Sequence, residues 1–313
     1  MHSRELALLL LLVATTASLA DDATTWPCFH GPGRDNISVE KDLLRGWPEE
    51  GPPLLWTASG LGHGYSTVAI AADRIFTAGM IDKQTYVTAL DMTGKVLWQK
   101  VNGQSWEATA RQPWAVPYSG SRGTPTVCDD TVYHLSELGR LTAFDLRTGD
   151  QSWHVDVLQT FGAERPKYGL SESVLIHGDS LFCCPGGEFV VRKIWKSELL
   201  DNHHGGVLLV DGHLYGAGHE ARGWFCLDFA TGDKRWQADG KGALTFAEGM
   251  LYCLNERGTM SLVKATPEKW DEISSFRLPR GGKGLYWAHP VVHGRRLYVR
   301  HSEKLFAYDV RKN

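Results

Sequence analysis

The chain has 313 residues, of which 22% are charged and 42% hydrophobic, and its formal net charge is −3. That balance is ordinary for a globular protein, and with no long basic run it gives no reason to expect nucleic acid or an acidic membrane surface as a partner. The 12 Trp and 34 Gly are high, as a fold of short strands and tight turns requires.

Read from the start, Arg4 provides a positive leading charge, Leu6–Ala14 an apolar core, and Ala17–Ala20 small residues at a cleavage position. Residues 1–20 therefore read as a signal peptide, and the protein as periplasmic or secreted. The alternative, a retained anchor, is disfavoured because the apolar run is too short to span a bilayer. No Cys follows the cleavage position, so nothing there suggests a lipid anchor. Residues 21–53 form an N-terminal extension, and the repeat domain runs over 54–313.

The extension leads into a strand at Leu54–Thr57. Beyond it, paired apolar runs meet at polar turns and end in a bulky residue: Asp73–Phe76, Asp130–Tyr133, Asp179–Phe182, Gly212–Tyr215, Gly249–Tyr252 and Arg295–Tyr298. Each marks a hairpin opening a sector. Between them a second phrase recurs, in which a strand ends in Asp, turns through Thr-Gly and continues to a Trp four residues past the Gly. Its copies are Asp91, Thr93-Gly94 and Trp98; Asp145, Thr148-Gly149 and Trp153; and Asp228, Thr231-Gly232 and Trp236. Asp and Thr bond local backbone, Gly takes a positive φ, and the Trp packs between sectors.

Repetition at this interval predicts an all-β β-propeller of four-stranded blades. From Leu54 to Val310, six sectors receive about 43 residues each, whereas eight would receive about 32, tight for four strands. The last sector ends at Leu305–Val310 without its Thr-Gly turn or Trp. Leu54–Thr57, which carries Trp56, is expected to complete that blade; otherwise it is an ordinary leading strand.

The Asp, Thr-Gly and Trp phrase resembles the repeat of pyrroloquinoline-quinone-type (PQQ-like) propellers. These include quinoprotein alcohol dehydrogenases and the propeller subunit of the outer-membrane β-barrel assembly machinery. Trp26–Asp35 followed by Gly64-Tyr65-Ser66 is similar to the secreted, polyvinyl-alcohol-dehydrogenase-like branch. The resemblance covers nearly the whole mature chain and implies about eight blades. Here the sector after Asp179 departs, since Cys184–Trp195 carries no Asp and Thr-Gly hairpin. The assembly subunit is usually a lipoprotein, which this N-terminus does not match.

The six cysteines have no zinc spacing. Cys128, Cys226 and Cys253 fall in strands and read as small buried hydrophobes. Adjacent Cys183 and Cys184 suit a vicinal disulfide of the kind that packs on the cofactor in some quinoprotein dehydrogenases. Strand alternation, which turns neighbouring side chains to opposite faces, argues against it.

Candidate site residues are those leading into the first strand of each sector, since these gather at one channel mouth: Tyr65, Arg122, Glu172, Asn202, His203, Lys241, Trp287 and His289. Were a quinone bound, the resemblance implies PQQ with calcium. Trp287 or Tyr65 would stack on its plane, Arg122 or Lys241 would meet its carboxylates, and Glu172 would act as calcium ligand or catalytic base. Asn202, His203 and His289 complete the binding set. His203, His204 and His289 are also a candidate metal group, although adjacent strand residues diverge. The segment Gln104–Ser119, with Trp106, Glu107, Trp114 and Tyr118, is a long insertion expected to act as a lid or a plug.

No Gly-x-Ser-x-Gly elbow, His-Glu-x-x-His or phosphate-cradling loop is present. Two functions remain, with a damaged descendant of either as a third. One is a noncatalytic exported propeller that binds a protein or small polar ligand at its mouth, and the other a quinoprotein oxidoreductase. The scarcity of carboxylates near the mouth favours the first.

Overall fold

Type I′-like turns join the first two strands of the repeat. At one of them Asp211 and Gly212 take successive positive φ values of 47° and 74°, the geometry whose twist matches that of the flanking strands. The structure, a computed structural model, describes residues 25–108, 113–178, 180–183, 197–202 and 206–312. Residues 1–24, Cys184, His203 and His204 lie outside these, so the signal peptide, the vicinal pair and the histidine group are not seen.

The described chain is all-β apart from a 3-10 turn at Pro113–Tyr118 and a short helix, Val157–Phe161. Among the described residues there are six sheets. Sheet 1 comprises Ala69–Ala71, Arg74–Ile81, Gln84–Asp91 and Val96–Gln104; sheet 2 comprises Thr126–Cys128, Thr131–Leu135, Arg140–Asp145 and Gln151–Asp156. Sheet 3 is described as a hairpin, Leu175–His177 with Ser180–Phe182. Sheet 4 runs Leu208–Val210, His213–Gly218, Gly223–Asp228 and Lys234–Ala238, and sheet 5 runs Gly242–Ala247, Met250–Asn255, Thr259–Lys264 and Glu272–Arg277. Sheet 6 takes Val291–His293, Arg296–His301 and Lys304–Asp309 from the end of the chain and Leu54–Ala58 from its beginning, the latter antiparallel to Lys304–Asp309. Where the strands are described, neighbours in sequence are neighbours in the sheet, so each sheet is a meander.

Strand alternation sends successive side chains to opposite faces, and each face packs on the next sheet. In sheet 1, Ile75 joins Val291, Tyr298 and Leu305 of sheet 6, while Phe76 joins Val132 and Phe144 of sheet 2. The same pattern packs sheet 2 on sheet 3, sheet 4 on sheet 5 and sheet 5 on sheet 6. The core is thus divided into slabs between sheets.

The repeat Trp locks these slabs together. Trp98 is 7% exposed and donates its indole N–H to Leu146 O of sheet 2 at 3.0 Å. Its ring lies so close to Gly149, at φ 72°, that a Cβ there would come within 2.6 Å. Trp56 in turn donates to Met92 O at 3.1 Å across the junction of sheets 6 and 1, and Trp236 to Thr266 O at 2.7 Å, in the turn between the last two strands of sheet 5. In these turns Asp145 Oδ1 accepts from the N–H of Arg147 and Thr148 and from the Thr148 hydroxyl, as Asp91 does in its own turn. Those bonds, led by the one from the Thr148 N–H, hold the Asp145 carboxyl below the usual range. Trp153 is the exception at 43% exposed, with the Tyr133 ring at a centroid distance of 6.0 Å.

The first strands of neighbouring sheets approach one another, and the N-terminal extension runs among them. Trp26 pairs with Ile70 of sheet 1, and Pro27 O accepts from Val127 N of sheet 2. Arg34 donates to Val174 O, beside sheet 3, at 3.4 Å. Ile37–Ser38 adds a parallel strand to Phe246–Ala247 of sheet 5, while Ser38 Oγ donates to Val292 O of sheet 6 at 2.6 Å. Residues of Trp26–Ser38 thus bond to groups in or beside the first strands of five sheets.

Candidate binding cavity

In an antiparallel meander, the start of the first strand, the end of the second and the start of the third lie at the same edge of the sheet. Residues leading into first strands therefore converge with the loops joining second to third strands. At that end lies a cavity of about 640 Å³, within the ~300–1,000 Å³ range of small-ligand sites.

Five of the expected residues line it: Tyr65, Arg122, Lys241, Trp287 and His289. Glu172 is not among the lining residues, although its neighbour Ser171 is. Asn202 also lies apart, its amide donating to Gly206 O at 2.9 Å. His203 is outside the described residues.

Aromatic rings form one wall. Tyr118 and Trp287 stack with centroids 5.0 Å apart and planes 5° from parallel, and Tyr65 lies 4.9 Å from Trp287. Burial raises the Tyr65 hydroxyl well above the ordinary tyrosine range, so it stays protonated. Tyr118 comes from the insertion, which thereby supplies a wall of the cavity.

A chain of polar groups adjoins these rings. Lys241 Nζ lies 2.7 Å from His219 Nδ1 and 3.6 Å from Glu256 Oε1, and Glu256 Oε1 accepts from the Trp287 indole N–H at 2.8 Å. Glu256 is the one acidic residue among those lining the cavity.

Arg122 is spent on the scaffold. Its guanidinium donates to the carbonyls of Tyr118, at 2.6 Å, and Tyr168, and lies 4.8 Å over the Trp106 ring. Burial lowers its proton affinity, opposed chiefly by Glu137. Glu137 is fully buried and accepts from Thr85 Oγ1 at 2.8 Å, Ser105 Oγ at 3.2 Å and Arg122 N at 3.2 Å. This network ties the insertion and the Arg122 loop to sheet 2.

The extension closes the inner end. Phe29 lines the cavity and stacks on His30 at 3.8 Å, and both rings lie 4.9 Å from His289. Burial lowers the His30 pKa to about 4, leaving it neutral at physiological pH. Asn36 anchors the group: its amide nitrogen reaches Leu244 O and lies 3.1 Å from His289 Nδ1, and its oxygen accepts from Thr245 Oγ1 at 3.2 Å.

His219 and Glu256 were missed by reading only residues before first strands. They sit just after second strands, His213–Gly218 and Met250–Asn255, and the meander alone would have pointed to them. Phe29 gave no comparable signal, because its place depends on the extension folding back against the first strands of the sheets.

Among the described residues no group of three or more His, Cys, Asp or Glu is arranged to hold a metal ion. Quinoprotein chemistry with calcium requires several oxygen donors, and the single lining carboxylate is bonded to Lys241 and Trp287. The described residues therefore do not fit that group. Cys28, Cys128, Cys226 and Cys253 are free thiols; Cys226 and Cys253 are buried as expected, and Cys128 is partly exposed. No helix of the described residues is long and apolar enough to cross a membrane.

The sequence profile of the family described as outer membrane protein assembly factor BamB matches residues 48–183. No curated protein matches the chain. Among solved structures, BamB from Moraxella catarrhalis is similar at 15% identity and a TM-score of 0.27, over 79% of this chain and 59% of its own. This chain thus spans less than two thirds of that structure. A europium-containing methanol dehydrogenase is similar at 13% identity and a TM-score of 0.38, over 89% of this chain and 69% of its own. Together with the meandering four-stranded sheets, the profile match supports a PQQ-like propeller repeat in this chain.

Proposed function

We propose that the chain is an exported, noncatalytic binding protein: a six-bladed propeller closed by Leu54–Ala58, taking its ligand in the cavity at one end of the axis. The observation that carries this reading is the cavity itself. It has stacked aromatic walls, an inner end closed by Phe29 and His289, and a polar side in which each charged group is already engaged. Such a site holds a ligand by faces and hydrogen bonds but supplies no unengaged carboxylate to abstract a proton from an alcohol. The six sheets and the pairing of the two chain ends in sheet 6 support the ring.

The test is thermal unfolding of the purified exported protein with PQQ and calcium, paired with an alcohol-dependent dye-reduction assay. The expected result is no calcium-dependent stabilisation by the quinone and no dye reduction. A bound quinone at about 100 times its Kd would add ~2.7 kcal/mol. A saturable shift of that order, accompanied by alcohol-dependent reduction, would replace the binding reading with an oxidoreductase.

A further inference from the structure

We propose that the cavity recognises a neutral, polyhydroxylated sugar ring, an inference that rests on the binding reading above and names its ligand class. Three features of the wall point there.

The first is the aromatic cluster. Tyr118 and Trp287 stack on one another and Tyr65 lies tilted against Trp287, so that three rings held in fixed positions supply rigid apolar area to the cavity lining. A pyranose has a matching apolar face made by its axial C–H groups, which packs on such rings at little entropic cost.

The second is the alternation of donors and acceptors in the polar row that adjoins these rings. The Lys241 ammonium, the Glu256 carboxylate and the His219 imidazole form one connected row, with contacts of 2.7 and 3.6 Å. A hydroxyl both gives and accepts a hydrogen bond, so neighbouring hydroxyls on a sugar can each meet one partner of this row. A ligand with only acceptors or only donors would leave half the row desolvated and unmatched.

The third is charge balance. Lys241 faces Glu256, and the Arg122 guanidinium is committed to two backbone carbonyls and the Trp106 face. An anion entering the cavity would meet the Glu256 carboxylate beside Lys241 and, at Arg122, a guanidinium that keeps its charge but has N–H groups directed at two backbone carbonyls. That disfavours a quinone carrying several carboxylates, or a phosphate, and favours a neutral ring.

The experiment is intrinsic tryptophan fluorescence and calorimetric titration of the full exported chain with cellobiose, maltose, xylobiose, glucuronate and PQQ. At least one neutral disaccharide should bind saturably. Trp287→Ala should weaken it by about tenfold or more, the size expected for one lost aromatic contact or charged hydrogen bond. Glu256→Gln leaves Lys241 unopposed, so it should weaken the neutral sugar and improve glucuronate. Trp153→Ala, remote from the cavity, should change neither. Melting temperatures of all variants establish that they are folded, and Glu256→Gln keeps the size and shape of the side chain should Trp287→Ala fail to fold. Binding of glucuronate or the quinone without any neutral disaccharide would overturn the sugar assignment and leave the binding reading standing. No binding of any probe to a cooperatively melting protein would overturn both, and alcohol-dependent dye reduction would overturn the binding reading itself.

Discussion

Trp98→Ala and Trp153→Ala separate two explanations of the repeat. If the Trp were a local hairpin residue, both changes would cost the same, since the surrounding phrase is the same. The structure makes them unequal. Trp98 is 7% exposed, packs with Phe76 and Phe144 and donates to Leu146 O at 3.0 Å, whereas Trp153 is 43% exposed and has Tyr133 at a centroid distance of 6.0 Å. Removing a buried Trp costs ~3–5 kcal/mol, and the partner carbonyl left without its donor lies within that range. For Trp153, with much of the ring already in water, the loss should stay under ~1.5 kcal/mol. Equilibrium urea unfolding followed by circular dichroism measures both through the shift in midpoint. A third variant, Gly149→Ala, sharpens the test. It forces a side chain at φ 72° and places its Cβ 2.6 Å from the Trp98 ring, costing ~1–3 kcal/mol. Combined with Trp98→Ala, the clash with the ring disappears while the backbone strain and a 2.9 Å approach to Lys100 Cγ remain, so the two changes should be less than additive. A Trp98→Ala loss below about 1 kcal/mol, or one equal to that of Trp153→Ala, would refute the idea that the Trp couples adjacent sheets.

Asn36→Ala should loosen the axial segment. It removes the contacts to Leu244 O, Thr245 and His289 and puts Ala at φ 60°, costing ~2–4 kcal/mol, and faster amide exchange at the inner strand Gly242–Ala247 would report it. Arg300 is 1% exposed and donates to the carbonyls of Leu61, Gly62, Lys304 and Ser302, stitching sheet 6 to the segment that precedes sheet 1; burial lowers its pKa to about 9. Arg300→Met leaves those acceptors unmatched and should cost ~2–4 kcal/mol in urea unfolding, and a neutral outcome would show that the stitch carries no stability. Burial, aided for His301 by the nearby Arg300 charge, lowers the pKa of His30 and His301 to about 4. The unfolded chain therefore binds more protons between about pH 6.5 and 4, so stability is fully present above 6.5 and is lost as pH falls toward 4, by up to ~1.4 kcal/mol per pH unit for each imidazole. Urea midpoints at pH 7 and pH 5 measure this, and a flat profile would mean that neither ring is desolvated. His301→Phe, which retains the stack on Tyr286, should remove its share of the slope.

Much of this architecture is local and so is written in the chain. Asp145 and Thr148-Gly149 make their turn from bonds within five residues, and the run of apolar and small residues in Arg74–Ile81 suits a strand buried on both faces. The polar and aromatic residues ahead of first strands, Tyr65, Arg122, Lys241 and Trp287, were legible for the same reason: they follow from counting sectors. Three things needed the tertiary structure. His219 and Glu256 join the cavity only because the meander returns second strands to the end where first strands begin. Trp153 is exposed where Trp98 is buried, although the phrase around the two is the same. The extension takes its place because groups in or beside five sheets bond to residues of Trp26–Ser38, of which only Ile37–Ser38 forms a strand. Short-range hydrogen bonding and periodicity determine the repeat; which repeats meet, and what fills the space between them, is decided by long-range packing that no local pattern encodes.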